Sequence, residues 1–340
     1  MDREFRYQIL KELEEIRNSK IIVYITGDRR HLETKIGDDV IPIIQNILIN
    51  SNLNGKKIEL LIYSRGGDGS TALTIVSLIR EYCSEFGVIV PWRAHSAATL
   101  IALGANSILM LKSGQLSPVD VSINTPFNPA INSPVGPKHI PINVEDLSGY
   151  VNFSKNVLGI KSEENLIYIL EYLTNQVNPL ALGAVHRARE KNSKIASSLL
   201  QYHIDDDGLI KKISDIITMG LYEHSFLISR RDAIQLKLPV ETVSDELERK
   251  IWSFFTSYLK ILELDQLYLQ ERLLGDDDVK DIEFHRAIIE HLSEGNLSTY
   301  TFTTKRKLIR RELMDPILNV KLPNIIEKDL DDGWIINNNV

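Results

Sequence analysis

Apolar residues recur along this chain in two distinct periods. Phe5, Ile9, Leu13 and Ile16 lie at helical spacing with charges between them, predicting a helix over residues 2–18. Ile21 to Thr26 is a short β-branched run and predicts a strand. Gly37 to Asn50 reads as a helix, with Asp38 and Asp39 in its first turn, where negative charge is favoured. Strand and helix then alternate: an apolar run at 58–63, a helical pattern over 70–86, a run at 87–91, a further helix and a run at 108–111. These runs are continuously apolar rather than alternating. Such strands are typical of a parallel sheet covered on both faces, so the expected fold class is α/β.

Residues 112–142 break the rhythm. They hold six prolines (Pro118, Pro126, Pro129, Pro134, Pro137 and Pro141), half of the chain's twelve, and predict a long, stiff, ordered loop. Helical patterns resume at 144–158, 163–176 and from Pro179 through Leu200. Asp205-Asp206-Asp207-Gly208 reads as a turn, Ser225 to Ile228 as a short strand, and Ser229 as the start of a short helix. From about residue 243 the texture changes. Asp245 to Leu274 reads as one amphipathic helix whose stripe includes Leu247, Ile251, Phe254, Tyr258, Ile261, Leu264 and Tyr268. That stripe has to be covered, either by its own chain or by a neighbouring subunit. Residues 283–292 and 298–309 flank a hairpin turn, Ser293-Glu294-Gly295-Asn296. The expected division is residues 1–243 as one domain and 244–340 as a helical and hairpin extension.

Composition is that of an ordinary globular protein, 43% hydrophobic and 25% charged, with a net charge of −7. That charge gives a nucleic-acid role no electrostatic support. The single Cys83 cannot form an internal disulfide; within a helical apolar pattern it reads as a small buried hydrophobe, in keeping with a reducing compartment. The first residues are charged, no apolar stretch reaches the roughly 18–20 residues of a membrane span, and the expectation is a soluble cytoplasmic protein. His139, His186 and His203 show no ligand spacing, and neither a metal site nor a cofactor is expected.

Candidate chemistry is confined to two strand-to-helix turns. The strand at 58–63 ends in Ser64-Arg65-Gly66-Gly67-Asp68-Gly69, and the strand at 87–91 leads into Ala94-His95-Ser96-Ala97-Ala98-Thr99. Both turns lie at carboxyl ends of strands, where open α/β sheets bind ligands. Glycines let backbone N–H groups approach a ligand, and a helix start offers unpaired N–H groups. Together they can supply a nucleophile, Ser96, and an oxyanion hole from the N–H groups of Gly67 and Ala97, with Gly66 shaping the turn. The plainer readings are an N-capping serine and a tight glycine turn. His95 adjoins Ser96 but diverges from it in direction, so it lines the site rather than taking the proton.

Tyr63-Ser64-Arg65-Gly66-Gly67, the segment Ala94 to Ala105, and Leu116-Ser117-Pro118-Val119-Asp120 together resemble the serine dehydrogenase proteinase family. Those are Clp-fold serine proteases related to signal peptide peptidase A and the Clp proteolytic subunit. Val144-Glu145-Asp146, Pro179-Leu180-Ala181-Leu182-Gly183 and the segment His224 to Arg230 look like later family blocks, so the resemblance covers roughly residues 15–240. It implies a ClpP/crotonase-like spiral of β-β-α units, a serine peptidase activity on a peptide or protein substrate, and a homo-oligomer. Two departures stand out. Arg65 replaces the proline of the Clp proteolytic subunit, and Ser117 replaces a glycine found in many relatives.

Alignment with the Clp proteolytic subunit puts its histidine near Val119-Asp120 and its aspartate near His224, so the two partner identities are exchanged. A triad of fixed geometry occurs in several chain orders, and the expectation is His224 as base with Asp120 as its orienting partner. Each also has a plain reading, as an ordinary histidine and as a turn residue after proline. Lys138 is the rival base, by resemblance to the Ser-Lys dyad of signal peptide peptidases, although Gly136-Pro137-Lys138 is also simply a polar loop. Two other functions share the fold: a crotonase-like enzyme of acyl-CoA thioesters, which uses a two-donor oxyanion hole without a nucleophilic serine, and a non-catalytic assembly module.

Overall fold

The computed structural model describes residues 3–50, 55–119, 122–123, 125–133, 136–220, 227–314 and 321–337. Its first half alternates helix and strand: α1 (Arg3–Arg17), β1 (Lys20–Thr26), α2 (Ile41–Asn50), β2 (Lys56–Tyr63), α3 (Gly69–Tyr82), β3 (Cys83–Val90), β4 (Arg93–Ala94), α4 (Ala97–Leu103), β5 (Ser107–Met110) and β6 (Gln115–Leu116). The proline-rich segment, expected as a long, stiff, ordered loop, carries short strands β7 (Ser122–Ile123), β8 (Ala130–Ser133), β9 (Gly136–His139) and β10 (Ile142–Asn143). Then come α5 (Val144–Asn152), α6 (Glu163–Gln176), α7 (Pro179–Leu200), α8 (Asp207–Asp215), β11 (Ile228–Ser229), α9 (Arg230–Gln235) and β12 (Val240–Glu241). The C-terminal part holds α10 (Asp245–Ile261), α11 (Gln270–Leu274), β13 (Val279–Ser293), β14 (Asn296–Met314) and β15 (Lys321–Ile336).

The main sheet has eight strands in the order β12-β5-β3-β2-β1-β13-β14-β15. Those from β12 to β1 are parallel; β13 joins β1 antiparallel, and β14 and β15 continue antiparallel. The fold is therefore mixed α/β, with a C-terminal antiparallel extension of the same sheet. Alternate residues of β1 serve two cores. Ile22 and Tyr24 pack with β2, α2, α3 and α4, whereas Ile21, Val23 and Ile25 pack with α1 and α10. Both faces of the parallel strands are thus covered, which is why their runs are continuously apolar.

The amphipathic stripe of α10 is covered by its own chain: Ile251, Phe254, Phe255 and Tyr258 are fully buried against α1, β1 and β13. The helix expected over 245–274 ends at Ile261, because Glu263 takes a positive φ of 49° and turns the chain. The three-aspartate turn is an N-cap instead, with Asp206 accepting from the Leu209 N–H. The helix expected over 70–86 stops at Tyr82. Cys83 opens β3 in extended backbone and is half-buried, with its thiol pKa raised by that burial. No helix among the described residues is long and apolar enough to cross a membrane.

One polar cluster ties the extension to the body. Glu290 of β13, fully buried, receives Arg6 of α1 through Nε and Nη2 at 3.0 Å each. The Tyr258 hydroxyl and Thr299 hydroxyl each donate to it at 2.7 Å. Four donors satisfy a carboxylate that would otherwise be costly to bury, and truncating one partner strands the other. Glu290→Ala should lower stability by about 3–5 kcal/mol in denaturant unfolding; a loss under about 1 kcal/mol would show that the cluster does not join the two parts.

Candidate active site

Strand β2 delivers the glycine turn and β4 delivers the serine. The two are sewn together at their ends: the Ser64 N–H donates to Arg93 O at 2.9 Å and the His95 N–H to Ser64 O at 3.0 Å. Helix α4 begins immediately afterwards, and all its residues are buried, so packing fixes where it starts. Ser96 occupies the joint with φ 51° and ψ −115°. For a non-glycine residue this lies outside the favoured wells, a type of strain found at functional sites. Its hydroxyl makes no capping hydrogen bond, so the N-cap reading of Ser96 does not describe the side chain.

The backbone of Ser96 is held from below. Its N–H donates to Ser117 Oγ at 2.9 Å, and that hydroxyl donates to Pro118 O at 2.9 Å. Thr99 Oγ1 accepts from the Ser117 N–H at 3.1 Å and lies 2.7 Å from Ala94 O. Ser117 therefore supplies a side-chain support that a glycine at this position would lack.

The glycine turn sits directly on this elbow. Gly66 has φ 114°, and a Cβ there would come within 2.6 Å of Ser96 Cβ and 3.1 Å of its Oγ. Gly67 lies so close to Ile36 that a Cβ would meet Ile36 O at 2.1 Å. The Ile36 N–H donates to Gly66 O and the Asp68 N–H to Ile36 O, both at 2.9 Å. Among the described residues, neither the Gly67 N–H nor the Ala97 N–H has a partner. A free hydroxyl beside free N–H donors is what nucleophilic acyl transfer requires.

Ser96, Gly66, Gly67, His95 and Ser117 line one cleft of about 670 Å³. His95 is buried, and its pKa is pushed down to about 4, first by that burial and then by the positive charges of Arg65 and Arg93, with Asp28 opposing. It is neutral near pH 7 and a poor proton acceptor there. Ala97 is the first residue of α4. Lys138 lies exposed on β9, paired with Ile131 of β8, and does not line the cleft. Asp120 and His224 lie outside the described residues. The segments that flank them are joined: the Val119 N–H donates to Ile217 O at 2.9 Å, and Ile228 pairs with Leu116. No group of three or more His, Cys, Asp or Glu suited to a metal occurs among the described residues.

Sequence reasoning missed the wall opposite the elbow. The loop between β1 and α2 is fastened to the C-terminal strands through Arg286 of β13. Its carbonyl accepts from the Gly27 N–H at 2.7 Å and the Thr34 hydroxyl at 2.8 Å. Its guanidinium donates to Leu32 O at 3.1 Å and also to Glu33 O. Trp334 Nε1 donates to Asp39 at 2.6 Å. A lone arginine in a strand pattern 250 positions downstream carries no local signal for this role.

Two substitutions test the geometry. Gly66→Ala should displace Ser96, because the φ is left-handed and the Cβ site is occupied; a fluorophosphonate should then fail to label Ser96 while the protein still folds. Arg286→Ala strands the carbonyls of residues 32 and 33 and should cost about 1–3 kcal/mol of stability, with labelling slowed at least about tenfold through the Ile36 contact. Unchanged labelling in either variant would detach that residue from the site.

Residues 2–148 match the family described as ClpP-like SDH-type serine proteinase. An uncharacterized protein of Methanocaldococcus jannaschii is 26% identical over 70% of this chain and 73% of its own length. A second uncharacterized protein of that organism is 30% identical over 35% of this chain and 42% of its own. Among solved structures, the 1510-N membrane-bound stomatin-specific protease is 14% identical, with a TM-score of 0.37, over 68% of this chain and 85% of its own. The matched span, residues 2–148, holds both the strained serine and the glycine turn, and over that span the chain is similar to the ClpP-like SDH-type serine proteinase family.

Proposed function

We propose that this protein is a serine peptidase in which Ser96 forms the acyl-enzyme. The observation that carries the reading is the joint itself: a strained, uncapped Ser96 in contact with Gly66, with the N–H groups of Gly67 and Ala97 unpartnered among the described residues. Ser96 Oγ attacks the scissile carbonyl. The developing oxyanion is received by the Gly67 and Ala97 N–H groups, the Ser96 proton passes to the base and on to the leaving amine, and water then releases the acyl group.

His224 is the base in this reading, with Asp120 orienting it. The bonding of Val119 to Ile217 and of Leu116 to Ile228 supports the pairing, since it joins the chain just before Asp120 to the chain on either side of His224. Lys138, exposed and away from the lining of the cleft, has less support. A homo-oligomer and a cytoplasmic setting belong to the same reading. Helix α6 buries none of its residues and leaves Ile167, Tyr168, Leu170 and Tyr172 exposed, which supports self-association.

A fluorophosphonate should label wild-type protein at Ser96, and Ser96→Ala should lose both labelling and peptide hydrolysis. Because the hydroxyl caps nothing, that variant should keep its stability within about 0.5 kcal/mol. No labelling of folded wild-type protein would favour the crotonase-like or assembly readings. Activity should rise with pH as the base loses its proton, through a transition near the ordinary histidine value of about 6.5. His95, already deprotonated above about 4, adds nothing to that transition. His224→Ala should cost several orders of magnitude in kcat/KM and Lys138→Ala much less; the reverse ranking would make Lys138 the base.

A further inference from the structure

We propose that Arg65 and His95 form a carboxylate-recognition subsite, so that the peptide substrates of this cleft carry a carboxylate next to the scissile bond. The inference rests on the peptidase reading above and adds a substrate class to it.

Arg65 immediately precedes the glycine turn and lines the same cleft as Ser96. Its guanidinium is held from one side only: Nε donates to Asp28 Oδ2 at 2.7 Å. Asp28 is already satisfied without it. The Tyr63 hydroxyl donates to its Oδ1 at 2.9 Å, and Arg93 Nη1 donates to Oδ2 at 3.0 Å. Asp28 and Tyr63 form the inner part of the cluster, 11% and 0% exposed, whereas the Arg65 side chain is 50% exposed. The two terminal nitrogens of Arg65 have no partner among the described residues. A guanidinium pinned by Nε keeps its terminal edge oriented, and that edge matches a carboxylate in bidentate geometry.

Charge and hydrogen-bonding capacity agree. Two guanidiniums share one carboxylate, a surplus of one positive charge at this end of the cleft. Arg93 stands behind the lining, and the surplus belongs to the cluster; the other charged side chains lining the cleft, Lys35, Lys191, Glu33 and Asp68, are two of each sign. His95, 8% exposed, is the third member; the Gln115 side chain is its polar neighbour, and among the described residues its buried Nε2 makes no hydrogen bond. Buried polar atoms nearly always find partners, so an orphan beside an under-neutralised arginine in a substrate cleft marks where a ligand supplies one. A structural ion pair would need only one of the two arginines; Arg65 is the outer one and the one left open to the cleft.

The test uses the full chain and three fluorogenic peptides of one core sequence: Glu beside the cleavage site with an amidated C-terminus, Gln at that position with an amidated C-terminus, and the Gln peptide with a free C-terminal carboxylate. Wild-type protein should prefer a carboxylate-bearing peptide by about 10–100-fold in kcat/KM, and added salt should shrink that preference. The peptide that wins identifies the source, a side chain or the chain terminus. Arg65→Gln should bring the ratio toward one, Arg65→Lys should restore part of it, and Arg65→Glu should turn the preference against the carboxylate-bearing peptides. A wild-type ratio near one, or a ratio unchanged in folded Arg65→Gln, overturns the inference while labelling at Ser96 leaves the peptidase reading standing. Absence of both labelling and cleavage with every peptide overturns both.

Discussion

The seating of Gly67 on Ile36 is the contact on which the site depends. Two backbone hydrogen bonds clasp Ile36 between Gly66 and Asp68, and the closeness of the approach excludes any Cβ at Gly67. A glycine turn is flexible by itself, and its N–H groups acquire a fixed direction only when something outside the turn holds them. Here the holder is the loop that precedes α2, and that loop is held by Arg286 and Trp334. The glycine side of the cleft is thus fastened, at second remove, to the C-terminal strands. The antiparallel extension caps the β1 edge of the parallel sheet and shapes the wall of the cleft at once.

The opposite side, the serine elbow, is held by burial. The positive φ of Ser96 costs about 1–3 kcal/mol. Helix α4 offsets it by placing every residue from Ala97 to Leu103 in the core, between α3 and α7. The Ser117 hydroxyl then takes the Ser96 N–H, a donor that the turn would otherwise leave exposed to the cleft. The two halves of the site are therefore stabilised by different means, apolar packing under the serine and directional polar contacts around the glycines. Polar contacts lose their value with small displacements, so the glycine side is the more sensitive to distant change.

Legibility in the sequence follows the same division. The strands from 20 to 110 and the helices between them are readable because each buried face repeats locally, and the two turns are readable because serine and paired glycines have few uses at strand ends. What was not readable depends on contacts distant in sequence. Nothing near Arg286 distinguishes it from any arginine in a strand, and β15, whose register on β14 runs from Tyr300↔Ile336 to Met314↔Lys321, is too polar to announce a strand. The aspartates at 205–207 carry the composition of a turn and of an N-cap equally, and only the Leu209 N–H decides between them. The apolar spacing beyond Ile261 continues after the helix has ended, because Leu262 and Leu264 still face the core through a turn.

The Asp28 cluster shows why position 65 matters although its neighbours explain most of the site. A proline there would keep the turn rigid but offer no donor. The arginine instead extends the buried Asp28–Tyr63–Arg93 cluster into the cleft, and its charge, with that of Arg93, helps hold His95 neutral. A neutral imidazole can present an N–H or a lone pair according to tautomer, whereas an imidazolium only donates. Keeping His95 uncharged beside two arginines also avoids a third positive charge next to the serine, where it would favour ionised leaving groups and hinder proton transfer to a separate base. The polar network that orients Arg65 therefore also leaves His95 a poor acceptor for a proton from Ser96.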